Sequence, residues 1–136
     1  MNRASLSLPS NSSITGMRMR VSLQAAVTTT ELDCQCWYYD ASAAQKVGFE
    51  DYQSTLNRVK TTGTTPVTLC PAATLNTVTR YVSLIMINNR DTVAATVIID
   101  TYDASATSPV AYRLIKQSLA VDETLIISAE GWVSIV

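Results

Sequence analysis

The chain has 136 residues, with ten basic and eleven acidic side chains, no histidine and three cysteines, a length typical of one compact domain. Hydrophobic residues make up 47% and charged ones 15%, the balance of a chain that folds and not of a disordered charged tail. The lack of histidine excludes Ser/His/Asp, Cys/His and HExxH chemistry together, and a net charge of −1 supplies no positive field to draw in a nucleic acid.

Thr, Ser, Val and Ile number 18, 14, 13 and 9, so residues that are β-branched or small and hydroxylated dominate, which favours strands. No apolar run approaches the roughly 18 to 20 residues of a membrane span, and no apolar stretch near the start leads to a small-residue cleavage site. A soluble, unprocessed chain with neither nucleic acid nor membrane as partner is expected.

Residues 1–16 are rich in Ser and Asn and lack a sustained apolar period, so they are expected to form an extended arm ahead of a domain at 17–136. Arg3, Arg18 and Arg20 are the only charges up to Thr30, which gives +3 there and −4 beyond it; an arm of opposite sign to its own body is suited to touching a like body. From Met17 to Val27 apolar and other residues alternate strictly, the period of a half-buried strand. Leu32, Cys34, Cys36 and Tyr38 then alternate with Asp33, Gln35, Trp37 and Tyr39 in a second strand ended by Asp40-Ala41-Ser42, and the two strands are expected to pair antiparallel. Between Val47 and Lys60 the apolar residues Phe49, Tyr52, Leu56 and Val59 are three or four apart, which predicts an irregular connection with one turn of helix.

Further on, strands are expected at 67–70, 80–87, 94–102, 110–116, 124–128 and 132–136, with turns at 88–91 and 103–106. In the 80s strand Val82, Leu84 and Met86 would lie on one face and Tyr81, Ile85 and Ile87 on the other. An apolar residue on both faces predicts a central strand or one covered by a partner. Short strands without long helices between them predict an all-β, antiparallel sandwich of jelly-roll-like form. The pentapeptide Tyr-Asp-Ala-Ser-Ala, at 39–43 and 102–106, is read as one strand-to-turn signal used twice.

Cys34, Cys36 and Cys70 lack a fourth ligand of the usual kind for zinc, and Cys34 and Cys36 share one strand face. They are expected to be buried free thiols acting as small hydrophobes. The acids at 50–51, 100 and 103, and 122–123 read as solvated turn residues, and four glycines form no phosphate-binding loop. No catalytic, cofactor or metal site is therefore expected. Trp37, Tyr39, Tyr52, Tyr81, Tyr102, Tyr112 and Trp132 could face a sugar, but their place inside strands favours core or interface packing.

One succession of segments carries more than its members do. Leu56-Asn57, GTTPVTLCPA at 63–72, TRYVSLIMINNRDT at 79–92, AATV at 94–97, LAVDETL at 119–125 and Gly131-Trp132, preceded by the stretch from Leu23 to Asp33, resemble small virion structural proteins of tailed bacteriophages over residues 17–136. Cys70 and Cys36-Trp37 depart from that pattern, as does a longer turn after Asp103. The resemblance implies a β-sandwich that decorates or cements a capsid, assembled in the host cytoplasm and resident in the virion, with the major capsid protein and its own copies, as a homotrimer, for partners. The alternatives it leaves are a carbohydrate- or receptor-binding module of a tail fibre or spike, and a neck protein. Arg3, Arg18, Arg20, Trp37 and Tyr39 are the expected partner contacts.

Overall fold

The computed structural model describes residues 7–8, 17–42, 54–73, 78–103 and 107–136. Ten strands are formed among them: β1 (Ser7–Leu8), β2 (Met17–Leu23), β3 (Asp33–Ser42), β4 (Thr55–Lys60), β5 (Val67–Cys70), β6 (Val78–Asn88), β7 (Ala95–Asp103), β8 (Ala111–Leu119), β9 (Thr124–Ser128) and β10 (Val133–Ile135). No helix occurs among the described residues. Sheet I runs β10-β9-β6-β3-β4, with β1 beside β6, and sheet II runs β5-β2-β7-β8. Every pairing is antiparallel. The two sheets pack face to face as the expected sandwich.

β2 pairs with β7 and β3 with β6. The ribbon running from β2 into β3 therefore lies antiparallel to the ribbon running from β6 into β7, and both cross from one sheet to the other at the same end, the nested pairing of a jelly roll. This corrects the expectation that β2 and β3 pair. The nine residues 24–32 that join them are a corner and not a hairpin turn, and β2 stops at Leu23, short of the expected Val27.

The core is built by period-two alternation. Met19, Val21, Leu23, Val97, Ile99 and Ile115 from sheet II face Cys34, Cys36, Ile85, Ile87, Leu125 and Ile127 from sheet I, all buried. Each such side chain contributes on the order of 1.5–3 kcal/mol by leaving water. In β6 the alternation slips. The register with β3 shifts between Trp37 and Tyr38, where Leu84 and then Val82 are the partners, so Ser83 is a bulged extra residue and donates its hydroxyl to the Trp37 carbonyl at 3.1 Å. Val82, Ile85 and Ile87 consequently point inward while Tyr81, Leu84 and Met86 face outward, a different division from the simple one expected.

The segment read as an irregular connection contains a strand, β4, paired with β3 throughout. Its apolar residues are three apart because Val59, opposite Cys34, packs on the core, while Leu56, opposite Trp37, lies on the outer face. Residues 43–53, including Phe49 and Tyr52, lie outside the described residues. The first Tyr-Asp-Ala-Ser copy does not turn: Tyr39 to Ser42 continue β3. Of the arm, β1 is described and pairs with Tyr81 and Arg80 of β6; the rest of 1–16, Arg3 included, lies outside the described residues.

Four connections meet at the corner end of the sandwich: 24–32, 61–66, 89–94 and 120–123. Asp91, 2% exposed, accepts the backbone N–H groups of Thr28, Thr29 and Thr30 at 2.8, 2.8 and 3.2 Å, and that of Thr92 at 2.9 Å. Asn89, fully buried, donates to the carbonyls of Val93, Leu119 and Ala120 and accepts the Asp91 N–H. Glu31 accepts from the Thr61 hydroxyl and from the N–H of Gly63, whose φ of 53° suits a residue without Cβ. At the opposite end Arg80, 6% exposed, binds Asp40 through Nε at 2.7 Å and Nη2 at 2.9 Å, donates from Nη1 to the carbonyls of Pro71 and Ala72, and lies over the Tyr38 ring.

Candidate functional site

An antiparallel sandwich commonly keeps its outer faces polar. On sheet I that rule fails in a defined patch. The pairing sets Leu56, Trp37, Leu84 and Ser128 in one row across β4, β3, β6 and β9, and Arg58, Gln35, Met86 and Ile126 in the next. A third row holds Tyr39 beside Tyr81, their rings stacked with centroids 5.4 Å apart and planes at 21°. Towards the corner end the face turns polar, with Lys60, Asp33, Asn88 and Thr124 in register. The outer face of sheet I thus grades from charged to aromatic and apolar.

Trp37 and Tyr39, expected as partner contacts, both lie in this patch. Arg18 and Arg20 do not. They belong to β2, on the outer face of sheet II and so on the opposite surface of the molecule. Arg20 is engaged within the chain: Nε and Nη2 bind the Asp100 carboxylate at 2.9 and 3.1 Å, and the guanidinium lies 4.1 Å from the Tyr102 ring centroid. Arg3 is outside the described residues. The structure therefore groups the aromatic pair with Leu56, Tyr81, Leu84, Met86 and Ile126, not with the arginines. Leu84 and Met86 carried a signal in the sequence, since the 80s strand was apolar on both faces; Leu56 and Ile126 gave none.

No family model, curated protein or solved structure matches this chain. The chemistry of the molecule must be read from its own side chains. All three cysteines are buried free thiols, as expected. Burial, with Asp33 and Glu31 nearby, pushes the Cys34 thiol up to about 12. A hydrogen bond with Cys70, and then burial, raise Cys36. Neither is a thiolate nucleophile near neutral pH.

The buried carboxylates are likewise committed. Asp91 is held well below the usual carboxylate range by the Thr28 N–H first, with Thr29 and Thr92 adding to it, and Asp100 is bound to Arg20. At Arg80 the hydrogen bonds donated to the Asp40 carboxylate raise the guanidinium's pKa further. These charges satisfy backbone groups and one another inside the fold. What the outer face of sheet I can do is exclude water against a second surface, with Arg58 and the Lys60–Asp33 ion pair towards its polar end.

Proposed function

We propose that this chain is a non-enzymatic structural protein that works by adhesion between folded surfaces, as a capsid cement or decoration protein of a phage virion, with the major capsid protein and its own copies as partners. The observation that carries the reading is the apolar outer face of sheet I, where Trp37, Leu84, Met86, Leu56 and Ile126 occupy positions that a free-standing sandwich would give to polar residues. The commitment of the buried thiols and carboxylates to structural partners supports the same reading, because it leaves those groups without a catalytic task. The succession of strand segments resembling phage virion proteins supports the particle, and residues 1–16, of which Ser7–Leu8 pair with β6, would serve as a strap, since a tethered strap adds avidity to a docked body.

The test is particle occupancy. Leu84→Asp with Met86→Asp is expected to abolish binding to assembled shells while the circular dichroism spectrum stays that of the parent, and deletion of residues 1–16 is expected to weaken binding. Unchanged occupancy for both variants would remove the proposal. A carbohydrate- or receptor-binding module is a second reading favoured by the Tyr39–Tyr81 stack, since Tyr81 is 39% exposed. Binding on a glycan array that disappears with Tyr39→Ala or Trp37→Ala would put that reading ahead.

A further inference from the structure

The two long sides of the sandwich differ. On one, β4 and β5 touch, and Asn57 of β4 donates to the carbonyls of Thr68 and Leu69 of β5 at 3.4 and 2.9 Å, which closes the gap between the sheets. On the other, β8 ends sheet II and β10 ends sheet I. Here, among the described residues, no strand continues either sheet. Tyr112 is the register partner of Thr101, itself opposite the buried Met19, so it lies on the core-facing side of β8 and is nevertheless 64% exposed. Ile135, opposite the buried Leu125, lies on the core-facing side of β10 and is 38% exposed. Val110 and Val121, in the connections before and after β8, are exposed as well.

We infer that this open side is an interface between copies of the chain, in which β8 of one copy lies against the β9–β10 edge of the next. A nine-residue outer strand offers a row of backbone N–H and C=O groups that a soluble protein either guards or pairs. The occupant is a second copy because the two edges are charge-complementary. β8 carries Arg113 and Lys116 and no acid, whereas 121–136 carries Asp122, Glu123 and Glu130 and no base. Docked edge to unlike edge, each contact sets cations against acids while Tyr112 and Ile135 leave water. Such a pairing, made twice about a two-fold axis, closes as a dimer. The inference deepens the self-association half of the proposed function and rests on that half alone, since it needs no capsid.

Sedimentation velocity on the purified full chain tests it, over loading concentrations from about 1 to about 100 μM. The parent is expected to move from monomer to a single larger species. Arg113→Glu with Lys116→Glu, both exposed positions, is expected to stay monomeric, as is Asp122→Lys with Glu130→Lys. An equimolar mixture of the two variants is expected to associate again, because every contact then regains opposite charges; a misfolded variant would not be rescued in this way. A parent that remains monomeric throughout, a larger species that survives the β8 reversal, or a mixture that fails to associate would each overturn the inference. Particle binding by the parent is measured separately, so capsid adhesion and self-association fail independently.

Discussion

The two ends of the sandwich solve one problem with opposite charges. At the corner end, connections leaving β2 and β6 present backbone N–H groups with no sheet partner, and a carboxylate, Asp91, collects four of them from 28–30 and 92. At the other end, the connection after β5 presents two carbonyls, of Pro71 and Ala72, and a guanidinium, Arg80, donates to both. The sign of each buried charge follows from the polarity of the backbone it must satisfy. Chain crossings between the sheets account for the burial of Asp91 and of Arg80.

The largest effect is expected for Asp91→Leu, which strands those four N–H groups; its thermal midpoint should fall below that of every other variant described below. The same carboxylate predicts an acid dependence. Its folded-state pKa lies below the ordinary value of 3.8, so its contribution to stability is complete above that value and is lost as pH falls below it. Asp91→Asn should flatten this part of the profile in urea unfolding measured from pH 7 down to about 2; an unchanged profile would show that Asp91 is not its source. Asn89→Ala removes the hydrogen bonds donated to the Val93, Leu119 and Ala120 carbonyls and the acceptor of the Asp91 N–H at the same end, and should cost about 3 kcal/mol by chemical denaturation.

At the opposite end Arg80→Met should cost less, about 2 kcal/mol, because Asp40 is part-exposed and can rehydrate. A larger loss for Arg80→Met than for Asn89→Ala would reverse the ranking of the two ends. The smallest effect is expected for Lys60→Ala. Its ion pair with Asp33 is 3.7 Å long and largely exposed, so a change below about 0.5 kcal/mol is expected, vanishing in high salt.

Much of this was legible along the chain. The alternation at Cys34 and Cys36 correctly buried both thiols, and it placed Trp37 and Tyr39 together on the opposite face of one strand. The strands after residue 66 fell close to their expected positions because turn residues bracket each Val/Ile/Thr run. Three features were not legible. The bulge at Ser83 shifts the inner set from Val82 to Ile85 and Ile87, and a bulge leaves no fixed mark in the residue pattern. Leu56 and Val59 mimicked a helical spacing because one lies on an apolar outer face and the other in the core. The alternation of β2 set Arg18 and Arg20 outward, but it carried no information on which surface that would be, or that Asp100, eighty residues away, would bind Arg20.

The sequence by itself determined that this protein is made of strands, where most of them lie, which residues alternate within them, and that histidine chemistry is absent. These are properties of composition and of a backbone whose side chains alternate every residue, and they need no distant partner. Only the tertiary structure decided that β2 and β3 belong to different sheets, that Asp91 and Arg80 are spent on crossing backbone, and that one side of the sandwich is closed by Asn57 while the other ends in exposed Tyr112 and Ile135. Those outcomes depend on contacts between residues far apart in the chain, where many pairings share the same local alternation and the burial of one common core selects among them.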